Sequence, residues 1–355
     1  MGLIFPPVSA SVNEAQSLPR DFYIDPEVFE FEKDSIFRQE WLAVTRVDQI
    51  PNPGDYITYD LLGDEIVITR DEQGCIQAFS NVCLHRGCPI VTGRGHVQSK
   101  LIACPYHNWV YQLDGQLRAT PQMDQSRGFD ASSLRLPAVA VEEWQGWVFI
   151  NLDAAAEPLA PRVEELAQRL DPWGFAELKT VHTLSFASPW NWKIMVDNFM
   201  ESYHHSATHP QTLDALFPGR GTYAEKTRGD YLLLENPSID KKNIPSFWVG
   251  CILPFNLFSL IRAPGAVSGS WYQIHLEDYQ HFRLDIHILA DQNQAKDAAL
   301  VEELVATFRA IHLEDISICK AVWKGLNSRF YQPGRLSHLE TCLWQFQNYL
   351  RKKLS

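Results

Sequence analysis

The sequence lacks the features that would direct it to a membrane or to nucleic acid. No apolar run approaches the roughly 18 residues that a membrane-spanning helix needs. The 31 basic residues are outnumbered by 43 acidic ones, and no run of Lys or Arg forms a basic stripe. We therefore expect neither nucleic acid nor a membrane as a partner. The first residues, MGLIFPPVSA, have no basic segment and contain two prolines, so we expect no signal peptide and a cytoplasmic protein.

Cysteine is scarce and irregularly spaced. The odd number of seven cysteines disfavours the disulfide framework of a small secreted protein. In a reducing compartment, clustered Cys and His residues indicate metal binding instead. Neither a Gly-rich dinucleotide-binding motif nor a P-loop is present. The cysteines are Cys75, Cys83, Cys88, Cys104, Cys251, Cys319 and Cys342.

Hydrophobic patterning predicts two kinds of structure along the chain. Residues 26–40 have a helical apolar rhythm, whereas residues 41–153 alternate short β-branched and aromatic runs with turn residues, as an all-β domain does. Gly74 and Gly115 occupy positions where hairpin turns are expected. The pattern predicts an α+β protein with an all-β domain inserted near the N-terminus of a domain built on an antiparallel sheet. Further helices are expected at 161–170, 191–206, 296–326 and 337–354, and strands over 222–290.

A first group of metal-ligating residues lies in the all-β region. Cys83-Leu84-His85 is followed, after 18 residues, by Cys104-Pro105-Tyr106-His107. Structural zinc can use two Cys and two His, but zinc fingers pair Cys with Cys and His with His. Here each loop offers one thiolate and one imidazole, which suits a two-iron cluster with two Cys on one iron and two His on the other.

The residues around these four, CLHRG and CPYHNWVYQLDGQL, resemble the two halves of the Rieske motif. The resemblance implies a [2Fe–2S] cluster on Cys83, His85, Cys104 and His107. Asn108 stands where the family usually has Gly, and this departure leaves the four ligands intact. Cys88 is extra to the motif, and we interpret it as a small buried residue rather than a ligand.

A second group of polar residues falls in the helix expected at 191–206. If the segment is one helix, its polar residues recur at spacings of three and four and share a face. These residues are Asp197, Asn198, Glu201, His204 and His205. A face this polar is costly to bury without a metal or a hydrogen-bond network. His209 precedes a proline and would have to turn back from beyond the helix end. Two imidazoles and one carboxylate form the facial arrangement used for Fe(II) and O₂.

This segment resembles the mononuclear-iron motif of Rieske oxygenases. Matched position by position, the resemblance implies that His204 and His209 bind iron. It places Glu201 where the family has the acidic residue that links one subunit's cluster to its neighbour's iron. We predict that Glu201 and Asn198 are catalytic residues, whereas His205 falls outside the ligand pattern.

The third ligand is sought in the C-terminal helix. An apolar stripe at spacings of three and four is interrupted by Asp315, which lies between Ile311 and Ile318. The apolar members of the stripe are Leu304, Phe308, Ile311, Ile318 and Val322. A carboxylate on an apolar face is costly unless it is paired or binds a metal. The family likewise takes its third ligand from this helix, so we predict Asp315, with the off-stripe Glu314 as the alternative.

Over essentially its whole length, the chain resembles the alpha (catalytic) subunit of Rieske non-haem iron oxygenases. It implies an all-β Rieske domain inserted near the N-terminus of a helix-grip catalytic domain with a large antiparallel sheet and a long C-terminal helix. The expected boundaries are an N-terminal helical segment at 1–40, the Rieske domain at 41–155 and the catalytic domain at 156–355. The implied cofactors are the [2Fe–2S] Rieske cluster and a mononuclear Fe(II), with O₂ as co-substrate.

The family assembles as head-to-tail homotrimers, in which His107 of one subunit approaches Glu201 and His204 of the next. Since the chain has no NADH or flavin motif, a separate NAD(P)H-dependent reductase of flavin or ferredoxin type is expected. The segment DNFMESYHHSATHP resembles the corresponding segment in the branch of the family that contains choline, glycine betaine and carnitine monooxygenases. We therefore predict monooxygenation or oxidative N-demethylation or C–N cleavage of a small quaternary ammonium compound.

Two alternatives stay open. One is a ring-hydroxylating dioxygenase acting on an aromatic substrate. The other, a Rieske electron-transfer protein without chemistry of its own, would not need the second group of ligands. A methylammonium substrate would call for aromatic faces, and the candidates on the C-terminal sheet are Trp248, Phe255, Phe258, Trp271 and Tyr272, none of which the sequence singles out.

Overall fold

The computed structural model describes residues 5, 7, 9–227, 230–244 and 246–355, so part of the predicted segment 1–40 lies outside the described residues. The chain divides into two compact units. One unit comprises Arg38–Leu159, and the other comprises Met1–Phe37 together with Ala160–Ser355. No helix in the described ranges is both long enough and apolar enough to cross a bilayer.

The unit Arg38–Leu159 is built from ten short strands in three antiparallel sheets. The sheet orders are β4-β3-β2-β5, β6-β7-β8 and β1-β10-β9. Gly74 and Gly115 lie in hairpin turns with φ of 82° and 86°, as predicted, because these turns need the left-handed region. The strands are β1 Leu42–Arg46, β2 Asp55–Leu61, β3 Asp64–Arg70, β4 Ile76–Ser80, β5 Arg94–His96, β6 Leu101–Ala103, β7 Val110–Gln112, β8 Leu117–Ala119, β9 Ala140–Trp144 and β10 Trp147–Asn151.

The other unit is built on one seven-stranded antiparallel sheet of order β11-β17-β16-β15-β14-β13-β12. Its strands are β11 Lys179–Ser188, β12 Tyr223–Ala224, β13 Tyr231–Pro237, β14 Ser246–Ile252, β15 Asn256–Ala263, β16 Ala266–Asp278 and β17 His281–Ala290. The helices of the chain are α1 Asp21–Ile24, α2 Pro26–Glu32, α3 Leu159–Arg162, α4 Glu164–Leu170, α5 Trp192–Phe199, α6 His205–Thr208, α7 Ala298–Leu326 and α8 Thr341–Leu354. The predicted α+β class, with a large antiparallel sheet and a long C-terminal helix, is confirmed.

Helix α7 covers one face of the large sheet. It begins at the N-cap residue Asp297, whose carboxylate accepts hydrogen bonds from Ala299 N–H and Leu300 N–H. Its residue His312 contacts the ring of Phe186 on β11 and the ring of Tyr272 on β16. The helix therefore lies over the sheet face that carries these two residues, and the space between helix and sheet is where a site can form.

The single helix predicted at 191–206 was wrong. Helix α5 ends at Phe199, and α6 begins only at His205. The Glu201 carboxylate accepts hydrogen bonds from the backbone N–H groups of Tyr203 and His204. Such a side-chain acceptor replaces the i→i−4 bond that a continuous helix would make, so the chain turns here.

The apolar stripe predicted on α7 is not the buried face of this helix along its whole length. Ile318 is 39% exposed and Val322 is 45% exposed. The buried positions of the helix are His312, Cys319 and Leu326, seven residues apart. The stripe is apolar, but in a single chain its second half faces outward.

Candidate metal centres

The two Cys and His loops of the β unit have the same backbone construction. Cys83 N–H donates to Cys88 O, and Gly87 N–H donates back to Cys83 O. In the second loop, Cys104 N–H donates to Trp109 O, and Asn108 N–H donates back to Cys104 O. The sequence spacings are the same as in the first loop. Each loop is thus closed on itself around its cysteine, so the ligand-bearing residues are held by backbone hydrogen bonds.

The departure at Asn108 is explained by its backbone. Asn108 has φ of 57°, and the equivalent residue of the first loop, Gly87, has φ of 73°. Glycine adopts this left-handed region freely, and asparagine is among the few other residues that tolerate it. Asn108 therefore fits the turn that closes the second loop.

The two loops bring their histidines together and bury their cysteines in one core cluster. Cys83 and Cys104 are buried free thiols, whereas His107 is exposed. The rings of His85 and His107 lie 4.4 Å apart, and Trp109 stacks on His85 at 4.8 Å. The two imidazoles are thus close to each other, and both cysteines belong to the buried core cluster that contains Trp109.

A two-iron cluster fits this donor set better than a single ion. His85 Nδ1 is buried and has no hydrogen-bond partner among the described residues, and such a nitrogen is costly unless a metal takes it. Each loop offers one thiolate and one imidazole, so a two-iron cluster can take the two thiolates on one iron and the two imidazoles on the other.

Tyr111 is a neighbour of the cluster loops that sequence reasoning did not single out. Its Oη lies 3.2 Å from Cys83 Sγ and accepts the Leu84 N–H at 3.0 Å. Burial, followed by the hydrogen bond to Cys83, raises the pKa of Tyr111 above its usual range, so the hydroxyl stays protonated and can donate to the sulfur. The sequence signal that could have identified Tyr111 is its position seven residues after Cys104, at the buried position of strand β7.

The second centre is formed by His204, His209 and Asp315. One donor atom from each lies within 4.8 Å of the others. His209 Nε2 is 2.9 Å from Asp315 Oδ1, and His204 Nε2 is 3.6 Å from the same oxygen. His204 caps the start of α6 and His209 its end, while Asp315 lies in the middle of α7. The three predicted residues are thus brought together with their Nε2 atoms facing one carboxylate.

Each histidine of this centre is held from behind by its own glutamate. His204 Nδ1 lies 2.5 Å from Glu201 Oε1, and His209 Nδ1 lies 2.6 Å from Glu314 Oε2. Thr212 Oγ1 donates to the same Glu314 oxygen at 2.7 Å. A carboxylate on Nδ1 fixes the tautomer and leaves Nε2 free for a metal. Glu314, the predicted alternative ligand, instead orients His209.

The electrostatics of the centre suit a cation. Burial alone would lower the pKa of His204, but the hydrogen bonds to Asp315 and Glu201 outweigh it and raise the pKa to about 10. Burial would raise the pKa of Asp315, yet hydrogen bonds to His204 and His209 hold that pKa well below its usual range. Asp315 is therefore a carboxylate at neutral pH, and positive charge is favoured at this point.

The three remaining polar residues of the predicted helix face, Asn198, His205 and Asp197, take different roles. Asn198 Nδ2 donates to Asp315 Oδ1 at 3.2 Å and so belongs to the centre. His205 is buried, with its Nδ1 3.1 Å from Phe217 O, and burial lowers its pKa to about 4. Asp197 points away and accepts a hydrogen bond of 2.7 Å from Tyr23 Oη. Asp197 and Asn198 are neighbours on α5 and face different directions, whereas His205 lies beyond the break, on α6.

A pocket of about 50 Å³ adjoins the second centre. Of the five aromatic residues considered from the sequence, only Tyr272 lines it. Trp248, Phe258 and Trp271 lie on the opposite face of the sheet, where they pack against Trp173 and Phe175. Phe255 packs against Phe37 and Trp192. The pocket's other aromatic residues are Phe199, Phe247 and Phe308.

Comparison with known protein families gives two matches that together span most of the chain. The family described as Rieske [2Fe-2S] domain matches residues 40–140. The family described as Ring hydroxylating alpha subunit (catalytic domain) matches residues 175–247 and 254–355.

Individual proteins show the same likeness over nearly the full length. The chain is 31% identical to the carnitine monooxygenase oxygenase subunit of Acinetobacter pittii, covering 92% of this chain and 90% of the relative. It is 28% identical to the chloroplastic choline monooxygenase of Spinacia oleracea, covering 96% and 79%. A solved structure of a quaternary ammonium Rieske monooxygenase, from work on carnitine oxidation and inter-subunit electron transfer, is 27% identical. It covers 100% of both chains with a TM-score of 0.88.

Proposed function

Because the chain belongs to the Rieske non-haem iron oxygenases, we propose that it is the oxygenase component that oxidises a small quaternary ammonium compound. The protein is an oxidoreductase that uses a Rieske [2Fe–2S] cluster, a mononuclear iron and O₂. One observation carries the proposal. The chain holds a second, separate centre of two imidazoles and a carboxylate, which an electron carrier would not need.

We assign the residues of each centre as follows. Cys83, His85, Cys104 and His107 would hold the cluster, and His204, His209 and Asp315 would hold the iron. When bound, the cluster supplies single electrons and the iron supplies an O₂-binding position. Glu201 and Glu314 orient the two histidines through Nδ1. Asn198 steadies Asp315 by donating to its Oδ1.

The two compact units support the domain assignment proposed from the sequence, with the Rieske domain at 41–155 and the catalytic domain formed by 1–40 and 156–355. The similarity to oxygenase subunits implies a separate reductase and a small-molecule substrate. A flavin- or ferredoxin-type reductase that uses NAD(P)H, and a cytoplasmic location, complete the proposal.

We further propose that the chain works as a homotrimer in which His107 of one subunit meets Glu201 of the next. Apolar side chains are exposed around the cluster loops, where Tyr106 is 53% exposed beside Val82 and Leu84. They are also exposed on α7, at Leu313, Ile318 and Val322. Exposed apolar patches of this kind mark association surfaces. A contact between two different patches of identical chains forms a ring when its rotation closes.

Quaternary ammonium substrates are favoured over arenes by the charge of the pocket. The lining includes the carboxylates of Glu201 and Asp315 beside four aromatic rings. Aromatic faces and carboxylates attract an alkylammonium cation, whereas a neutral arene would gain only from the rings. The named relatives, a carnitine and a choline monooxygenase, belong to the same substrate class.

The test has two parts. Each subunit should bind three irons, two in the cluster and one in the second centre. Two irons per subunit with full cluster absorbance would show an electron carrier instead. The loaded enzyme with a surrogate reductase should then oxidise a trimethylammonium compound and release an aldehyde. A cis-diol from an arene, with no aldehyde from any ammonium compound, would favour the ring-hydroxylating alternative.

A further inference from the structure

The pocket beside the iron centre contains acidic and aromatic groups but no permanent cation. Its aromatic lining is Phe199, Phe247, Tyr272 and Phe308. Among the residues that the structure describes, no Lys or Arg lines it. Asp315 and Glu201 line the pocket, and Glu314 lies behind His209. Their three negative charges exceed the two positive charges that a ferrous ion would bring. A substrate carboxylate placed here would thus be desolvated without a protein cation to pair with, which is costly.

Neutral hydroxyl groups form the polar part of the sheet face behind the pocket. Ser259 on β15 lines the pocket and pairs across the sheet with Ser270 on β16. Their Oγ atoms lie 2.6 Å apart and both residues are buried. Tyr272 follows two residues after Ser270 on the same face. These hydroxyls can donate to or accept from an uncharged group.

A buried imidazole adds neutral hydrogen-bonding capacity behind Tyr272. The ring of His312 lies 6.2 Å from the ring of Tyr272. Neither of its nitrogens has a hydrogen-bond partner in the described part of the chain. Burial lowers the pKa of His312 to about 4, so the ring is uncharged at neutral pH. Even this histidine therefore provides no positive charge for an anion.

We infer that the substrate of this chain is a small quaternary ammonium alcohol rather than a quaternary ammonium carboxylate. This inference rests on the proposed function and narrows it. The cation faces the aromatic rings and carboxylates, while the substrate's hydroxyl meets the Ser259–Ser270 pair. The chain would then differ in substrate from the carnitine monooxygenase to which it is similar, because carnitine carries a carboxylate.

The direct test compares two ligands that differ in one group. Choline and glycine betaine share the trimethylammonium head, but choline ends in a hydroxymethyl group and glycine betaine in a carboxylate. We expect the iron- and cluster-loaded enzyme to bind choline at least about tenfold more tightly in calorimetric titration, since an unpaired buried carboxylate is costly. Equal or tighter binding of glycine betaine would overturn the inference while leaving the proposed function intact. Binding of neither, with no aldehyde formed, would overturn both.

Two variants test the residues. Ser259→Ala should weaken choline binding by about 2- to 12-fold, the range of one hydrogen bond. It should leave tetramethylammonium, which has no hydroxyl, unaffected. Ile311→Lys places a cation at the pocket wall and should shift the choline-to-betaine affinity ratio toward betaine. The adjacent exposed change Ala310→Lys is its control and should leave that ratio unchanged. Equal loss of both ligands in Ser259→Ala, or equal ratios in the two lysine variants, would contradict the inference.

Discussion

Removal of the Glu314 carboxylate should weaken iron binding at the second centre while leaving Asp315 in place. In the structure, Glu314 Oε2 is the only described partner of His209 Nδ1, at 2.6 Å, and His209 is fully buried. A hydrogen bond to a charged acceptor contributes about 1.5–3 kcal/mol, which corresponds to about 10- to 150-fold in an equilibrium constant. Loss of a residue that orients a metal ligand lowers metal affinity by about 10- to 100-fold in other proteins. We therefore expect Glu314→Ala to weaken Fe(II) binding by one to two orders of magnitude.

The measurement separates the two centres within one protein. The purified enzyme is dialysed without oxygen against graded chelator, and iron is quantified while the visible absorbance of the cluster is followed. Glu314→Ala should lose the mononuclear iron at lower chelator concentration, and the cluster spectrum should persist. Glu314→Gln keeps a neutral acceptor for His209, so its iron should be lost at a chelator concentration between those of Glu314→Ala and the parent. Glu303→Ala, an exposed carboxylate on the same helix, is the matched control.

Two outcomes would refute this reasoning. Parental iron affinity in Glu314→Ala would mean that the hydrogen bond to His209 does not support the ligand. Retention of iron in Asp315→Ala together with complete loss in Glu314→Ala would exchange the roles of the two carboxylates. Thr212→Val provides an independent check, because it removes only the hydroxyl that fixes Glu314 and should reproduce the Glu314 effect in weaker form.

Three further predictions concern the rest of the chain. Tyr111→Phe should lower the cluster's reduction potential by about 20–65 mV in spectroelectrochemical titration, because a hydrogen bond to Cys83 Sγ stabilises the reduced form; an unchanged potential would contradict this. Lys193→Met should lower the free energy of unfolding by about 3–5 kcal/mol, since it leaves the buried Glu32 unpaired. The double variant with Glu32→Gln should recover part of that loss in denaturant titrations, and simple additivity would count against the pairing. Burial raises the pKa of Asp197 from 3.8 to about 7, so its stabilising contribution is complete below about pH 4 and is lost as pH rises through about 7. The melting temperature of Asp197→Asn minus that of the parent should accordingly increase between pH 5 and pH 8. A difference that stays constant over this range would show that Asp197 does not titrate there.

The candidate ligands could be proposed from the sequence because their information is local. Cys83 and His85 lie in one short loop, Cys104 and His107 in another, and the residue types alone indicate the chemistry. His204 and His209 were likewise close in sequence. Asp315 was found because a carboxylate on an apolar stripe needs a reason. The structure brings these predicted residues together in two groups.

What could not be predicted depended on tertiary structure. Glu314 is adjacent to Asp315, yet one holds His209 Nδ1 and the other faces His209 Nε2, more than one hundred residues away in sequence. The break after Phe199 depends on the Glu201 carboxylate capturing two backbone N–H groups. The aromatic residues of the sheet were separated into two faces by strand register, and a single step of register decides whether Trp271 or Tyr272 reaches the pocket. None of these relations leaves a periodic signal.

The glutamates behind His204 and His209 make iron loading an exchange reaction. With its pKa raised to about 10, the His204 imidazole carries a proton on each nitrogen at neutral pH before any metal arrives. His204 would hold iron through Nε2 without the proton there, while the hydrogen bond to Glu201 would keep the proton on Nδ1. Iron binding at His204 would therefore release a proton to solvent. Assembly of this enzyme is consequently governed by acidity as well as by iron supply, and mild acid should return it to its empty form.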